Sequence, residues 1–264
     1  MTSEPIPTPI IPDAPVSGFV ADIHLAAAFL TRLPLPDLGV VADGGLARAM
    51  RAFPLVGGAI GLAAGLVFLA AHALLPPLPA ALLAVLVAVV LTGALHEDGL
   101  ADTADGLGAR GGREARLEVM RDSRTGAYGV LAIVFSLGLK VTALAAAPSG
   151  WAGLGALVAA GALSRALIPA AMQIMAPARP DGLGASAGVP DASVAAFAAV
   201  LGIALTFAGL GLGAPVAVLT ALALAGGMIM LARRTLGGFT GDVLGAISQA
   251  AEIGVLLAAA GVWS

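Results

Sequence analysis

The chain has 264 residues, of which 59% are hydrophobic and only 11% charged, and its mean hydropathy is +1.00. An ordinary soluble domain carries roughly 25% charged residues, so a soluble globular enzyme and a disordered chain are both excluded. A formal net charge of −3 offers no basic field to a nucleic acid. The absence of Cys rules out disulfides, thiolate metal sites and Cys nucleophiles, and three His are too few for a His-rich metal site. Aromatics are only 4% while Gly is abundant. Small residues let apolar helices approach closely, as they do in membrane bundles.

Residues 1–17 hold five prolines and two acids, with no basic segment and no long apolar run. They read as a solvated, Pro-rich disordered tail and not as a signal peptide. Residues 18–264 read as a single membrane domain. Its first part, 18–36, reads as an interfacial helix over 18–30, carrying Asp22 and His24, or as an eighth span, followed by a proline turn. A bilayer-crossing helix needs about 20 mostly apolar residues. Seven segments meet that length or approach it: 53–75, 79–96, 127–147, 151–173, 192–212, 214–232 and 243–262. The fold class expected is therefore all-α, a polytopic bundle of about seven transmembrane helices.

Lys and Arg orient these spans. Eleven fall on one side: Arg32, Arg48, Arg51, Arg110, Arg113, Arg116, Arg121, Arg124, Arg179, Arg233 and Arg234. The loops near 76–78, 148–150 and 213, and the C-terminus, hold none. The positive-inside rule makes the Arg-rich side cytoplasmic. Lys140, Arg165 and Glu252 lie within spans, where lone charges are costly, so a bridge from Glu252 to Arg165 or Lys140 is expected.

Seven of the 16 acids fall between Glu97 and Asp122. In segment 93–129, span two runs on without a breaker until Gly106. If its helix continues, Asp98, Asp102 and Asp105 stand at i, i+4 and i+7 and share one face. No basic residue between 52 and 109 neutralises them. A hard divalent cation would, and all-oxygen ligands suit Mg²⁺, Mn²⁺ or Ca²⁺. After Gly111 and Gly112, the acids Glu114, Glu118 and Asp122 repeat every four residues among five arginines. They read either as a second acidic stripe facing the first or as plain ion pairs with Arg121 and Arg110. Glu97 points off the Asp98 face and reads as solvation. His96 reads as a base, a ligand or polar packing. Carboxylates for a metal beside arginines for phosphate fit phosphoryl transfer at the cytoplasmic face.

Asp102-x-x-Asp105-Gly106-x-x-Ala109-Arg110 resembles the opening of the CDP-alcohol phosphotransferase motif. Its continuation fails, because the expected Gly falls on Val119 and the last Asp on Gly126. A closer resemblance starts at His96-Glu97-Asp98-Gly99-Leu100-Ala101-Asp102-Thr103-Ala104-Asp105-Gly106, which is similar to the signature of the cobalamin synthase family. Three further segments match in order: Leu30-Thr31-Arg32-Leu33-Pro34-Leu35-Pro36, Asp122-Ser123-Arg124-Thr125-Gly126-Ala127-Tyr128-Gly129, and Gly237-Gly238-Phe239-Thr240-Gly241-Asp242-Val243-Leu244-Gly245.

The resemblance implies an enzyme of the bacterial inner membrane that joins adenosylcobinamide-GDP to α-ribazole or its 5′-phosphate and releases GMP, with Mg²⁺. No nucleic acid partner is expected, the lipid bilayer is the surrounding medium, and a homo-oligomer is compatible. On this reading Asp98, Asp102, Asp105 and Asp122 are the catalytic and metal-holding carboxylates, with Asp105 or Asp122 as general base. Arg110 and Arg124 clamp the diphosphate and Ser123 donates to a phosphate oxygen. Arg32 either contacts the substrate anion or only marks a surface turn. Asp242, in turn 237–245, either contacts substrate or only caps the last span. The rivals are a UbiA-type prenyltransferase, which would want a second Asp-rich motif, and a secondary transporter, which would want acids near the midplane.

Overall fold

The computed structural model describes residues 18–36, 44–182 and 187–264. Residues 1–17, with the expected tail, lie outside them. The described chain is helical, and its single β-type pairing is a bridge between Pro177 and Phe239. The elements are α1 (Phe19–Leu30), α2 (Gly45–Ala49), α3 (Phe53–His72), α4 (Pro77–Thr92), α5 (Leu95–Gly108), α6 (Arg113–Val119), α7 (Ala127–Ala145), α8 (Gly150–Ile174), α9 (Ala192–Leu210), α10 (Ala214–Thr235) and α11 (Gly241–Trp263). By length and hydropathy five stretches can cross a membrane, and six if the bent pair α4–α5 counts as one.

That criterion does not return the seven spans expected. The difference lies in Ala192–Thr235, a stretch of 44 residues without a break in helical backbone. At 1.5 Å per residue this would measure about 66 Å, twice the hydrocarbon thickness. The chain instead turns at Gly211 (φ 52). Gly209 packs on Gly155 and Gly213 on Val262, so this turn lies beside the start of α8 and the end of α11. Gln173, near the end of α8, bonds the Pro190 carbonyl just before α9, and Ala176 and Ala178 pair with Phe239 just after α10. The outer ends of α9 and α10 therefore share one face. The same contacts sort the loops. The uncharged turns lie at one end of the bundle, and the arginine-bearing segments at the other.

α8 and α11 are buried along most of their length. Small residues make this possible. A Cβ on Gly57 of α3 would overlap the carbonyl oxygen of Gly161 of α8, and the reverse holds too. Such backbone contact maximises dispersion between helices that gain no hydrophobic energy from leaving lipid. The outward faces of the other spans carry Leu66, Leu86, Phe135, Val200 and Leu219, all exposed, as a lipid-facing surface requires. α1 has 12 residues, too few to cross. It docks through Asp22, which is fully buried and accepts from Arg48 Nε at 3.0 Å and Arg51 Nε at 2.6 Å.

The expected bridge within the spans is present, and it is larger than expected. Glu252 of α11 takes Lys140 of α7 at 3.3 Å on one oxygen and Arg165 of α8 on the other. Lys140 also meets Glu97 of α5 at 3.2 Å, and Glu97 accepts from Gln249 at 3.1 Å. The reading of Glu97 as plain solvation is thereby corrected. It is 7% exposed and part of a buried set of two acids and two bases. The set is neutral in sum, which is the condition for charges to persist in low dielectric.

The expected straight run of span two into the acidic segment is also corrected. Gly93 and Ala94 both have positive φ, 61° and 59°, and α5 leaves α4 at 88°. α5 is a separate helix with its own polar face, so the i, i+4, i+7 register of its three aspartates survives.

Two outcomes test this packing. Gly161→Val forces α3 from α8 and should cost about 3 kcal/mol, read as a lower melting temperature in detergent. Glu252→Gln leaves Lys140 and Arg165 undercompensated and should cost roughly 3–5 kcal/mol. Glu252→Gln combined with Arg165→Met should recover part of that loss.

Candidate active site

The arginine-rich end holds a cavity of about 360 Å³ between α1, α3, α5, α8 and the start of α11. Its walls are apolar and include the stacked rings of Phe29 and Phe53, whose centroids are 5.8 Å apart. His96, Asp98, Arg179 and Asp242 are its polar lining.

α5 positions the carboxylates. Gly99 of α5 packs directly on the backbone of Asp242, and Gly245 packs on His96 and Gly99. A side chain on Gly99 would push α5 away from α11. This contact brings Asp242 toward Asp98 and Asp102. Burial first, and then the carboxylates of Asp98, Asp242 and Asp105, raise the Asp102 carboxyl to about 6. Mutual repulsion of this kind is what a bound cation relieves. Asp98 is exposed and Asp102 half-buried, so both are open to a ligand.

The other two expected carboxylates are engaged elsewhere. Asp105 accepts from Gly126 N at 2.6 Å and Gly129 N at 2.9 Å, at the N-terminus of α7. It satisfies orphan amides there and complements the helix dipole. Asp122 lies beyond the end of α6, in a turn, where Arg124 grips it at 2.6 Å and Arg124 N at 3.1 Å. Those bonds hold its carboxyl at about 2. The second acidic stripe does not form, because α6 stops at Val119. Glu118 faces Arg121 at 3.8 Å, and Arg121 binds Asp181 at 2.7 Å. Glu114 is exposed.

The turn at 237–245 is a strap. Phe239 N donates to the Ala176 carbonyl at 2.9 Å, and Ala178 N to that of Phe239 at 2.7 Å. Gly238 passes so close to the Ala176 carbonyl that a Cβ would overlap it. Thr240, not Asp242, is the N-cap of α11, and its hydroxyl accepts from Val243 N at 3.2 Å. Asp242 accepts from the Thr240 hydroxyl at 3.1 Å and lines the cavity, 3.7 Å from Arg179. Arg113 of α6 braces the strap through the carbonyls of Leu236 and Ala178. Arg179 is a site residue that sequence reasoning missed. Its only signal was position in an arginine-bearing loop, and the strap alone brings it to the cavity.

Arg32 is exposed, and its side chain lies over Gly93, while Arg32 N bonds the Leu91 carbonyl at 2.8 Å. The turn thus clamps the α4–α5 bend. Arg110, Ser123 and Arg124 are exposed around the end of α5 and the turn before α7. None of the three lines the cavity.

Among the described residues no three carboxylates or imidazoles converge closely enough to ligate an ion alone. The donor set is still that of a hard cation. Mg²⁺ typically takes one or two carboxylates and completes its shell with water and substrate phosphate oxygens. Asp98 and Asp102, one turn apart, fit that pattern.

The family model described as cobalamin-5-phosphate synthase matches residues 22–260. A relative from Bradyrhizobium diazoefficiens, named adenosylcobinamide-GDP ribazoletransferase, is 48% identical over 247 residues, covering 93% of this chain and 95% of its own. Relatives of the same name from Azorhizobium caulinodans and Mesorhizobium japonicum are 47% and 44% identical. They cover 91% and 90% of this chain, and 96% and 92% of their own. No solved structure matches the chain. With the match spanning nearly the whole membrane domain, the chain belongs to the cobalamin-5-phosphate synthase family.

Proposed function

We propose that this chain joins adenosylcobinamide-GDP to α-ribazole, or its 5′-phosphate, and releases GMP at the cytoplasmic face of the bacterial inner membrane, with Mg²⁺. The observation that carries this reading is the group Asp98, Asp102 and Asp242 beside Arg179, at the mouth of an apolar cavity in a chain of this family.

Asp98 and Asp102 would hold Mg²⁺, with Asp242 facing them. When bound, the ion neutralises diphosphate charge and stabilises the charge that develops on the transferred phosphorus. Arg179 binds the diphosphate as a planar two-pronged donor. Asp98 is the one α5 carboxylate that lines the cavity. Asp242, which also lines the cavity and is not needed to hold the ion, takes the proton from the ribazole 3′-hydroxyl, whose oxygen bonds to the phosphorus on the cobinamide side. The bond from that phosphorus to the bridging oxygen breaks, and GMP leaves with the electron pair. Asp105 and Asp122, the earlier candidates for base, keep to anchoring α7 and shaping the turn before it. Arg110, Ser123 and Arg124, exposed near the end of α5, meet the parts of the substrate that stay outside the cavity.

The reaction is tested with purified protein, both substrates and Mg²⁺, following GMP by chromatography. Chelation should abolish product, and Asp102→Asn should lower kcat more than about a hundredfold with an unchanged melting temperature. Asp105→Ala should behave differently, lowering stability by roughly 1–2 kcal/mol through loss of the α7 cap. Full activity in Asp102→Asn would remove the metal assignment. Orientation is testable because the chain has no Cys. In intact cells an impermeant maleimide should label Ser149→Cys, and reach Ser123→Cys only after permeabilisation.

A further inference from the structure

We infer that the cavity between α1, α3, α5, α8 and α11 seats the aromatic base of the ribazole substrate, with His96 as the hydrogen-bond partner of its free ring nitrogen. This assignment rests on the transferase reading above and adds which half of which substrate enters the bundle.

Volume narrows the choice first. About 360 Å³ is at the lower end of the range for small-molecule sites, roughly 300–1,000 Å³. It accommodates one flat bicyclic ring with part of its sugar. A corrin with its peripheral amides must remain outside, near the exposed arginines.

Wall chemistry narrows it further. Phe29, Met50, Phe53, Ile168, Met172 and Leu244 form the apolar lining. Among the described residues no amide and no hydroxyl side chain lines it. Guanine would bring an amino group, a ring N–H and a carbonyl into that space. Besides His96, the only lining groups that could pair with them are Asp98, Asp242 and Arg179, which the transferase reading commits to the metal, the proton and the diphosphate. Each guanine group left without a partner costs about 1–3 kcal/mol. A methylated benzimidazole brings two methyls and a carbocyclic edge, which gain from burial. The parallel rings of Phe29 and Phe53 and the two methionines offer polarizable surface to such a ring.

One buried polar atom then requires a partner. His96 lines the cavity, is 3% exposed, and its Nδ1 has no hydrogen-bond partner among the described residues. The benzimidazole of a ribazole keeps one unsubstituted ring nitrogen, an acceptor only. A turn of the His96 ring that brings its Nδ1–H to the cavity and donates to this nitrogen would satisfy both. Asp242 also lines the cavity, and its turn packs on Gly99 of α5 while Gly245 packs on His96, so a ribose attached to this base is directed to the carboxylate that takes its proton.

The experiment measures KM for each substrate and ligand binding by calorimetry in nanodiscs. Met172→Trp, which narrows the cavity with a bulky rigid ring, should raise KM for α-ribazole about tenfold or more. KM for adenosylcobinamide-GDP should stay within about twofold. A rise confined to the corrinoid substrate would place guanine here and overturn the inference, and so would no change in either. The wild-type protein gives a second test that needs no folded variant. A benzimidazole riboside lacking both methyls should bind roughly tenfold more weakly. The indole riboside, which lacks the free nitrogen, should lose about as much. In His96→Leu the benzimidazole and indole ligands should bind alike, an equality that mere loosening of the structure would not produce. Equal binding of all three ligands to the wild type would overturn the assignment. Wild-type protein that makes no product would reject the transferase reading itself. Product with unshifted KM values would reject only the seat.

Discussion

The arrangement of this molecule depends on a neutral set of four charges inside a membrane bundle. Glu97, Lys140, Arg165 and Glu252 come from four different helices, α5, α7, α8 and α11. Each alone would carry a desolvation cost of several kcal/mol, and none can be repaid except by the others. That requirement locks the helices in one relative register. It matters most for α5, which is too polar to be held by lipid or by apolar packing alone. Glu97 and Gln249 anchor its first turn, and the Gly99–Asp242 contact brings the same turn against the start of α11.

Once α5 is held there, the chemistry follows from two backbone features. The left-handed pair Gly93–Ala94 turns α5 by 88°, so its aspartates lie along one end of the bundle and do not descend into it. Arg32, reaching over Gly93, occupies the space a side chain would need and closes the bend. The strap at residues 176–178 and 237–240 does the corresponding work from the other side, delivering Arg179 and Asp242 to the same mouth. Four acids thus divide by task. Asp98 and Asp102 stay open on the polar face of α5, Asp105 caps α7, and Asp122 is bound to its own neighbour Arg124.

This division explains why a motif read as one unit holds residues with different jobs. An aspartate at i+7 of a helical stripe is as well placed to cap the next helix as to join its neighbours. Only the position of Gly126 and Gly129 decides between them. A carboxylate four residues past an acidic stripe continues it only if the helix does, and α6 ends before Asp122.

What the sequence determined by itself is what depends on composition and short-range periodicity. An apolar chain with 11% charge must place its spans in lipid. Arginines confined to alternate loops mark the two ends, and three aspartates on one helical face mark where charge collects. The need of Glu252 for a cationic partner was equally legible, because a buried charge cannot stand alone. The tertiary structure decided the rest. Glu97 joined the buried network and Arg179 reached the cavity through contacts with residues far away in sequence. The break at Gly93–Ala94 was hidden because its second residue, Ala94, is ordinarily a strong helix former. Which acid meets a ligand and which meets a backbone amide is fixed by the distance between helices, and local spacing carries no information about that distance.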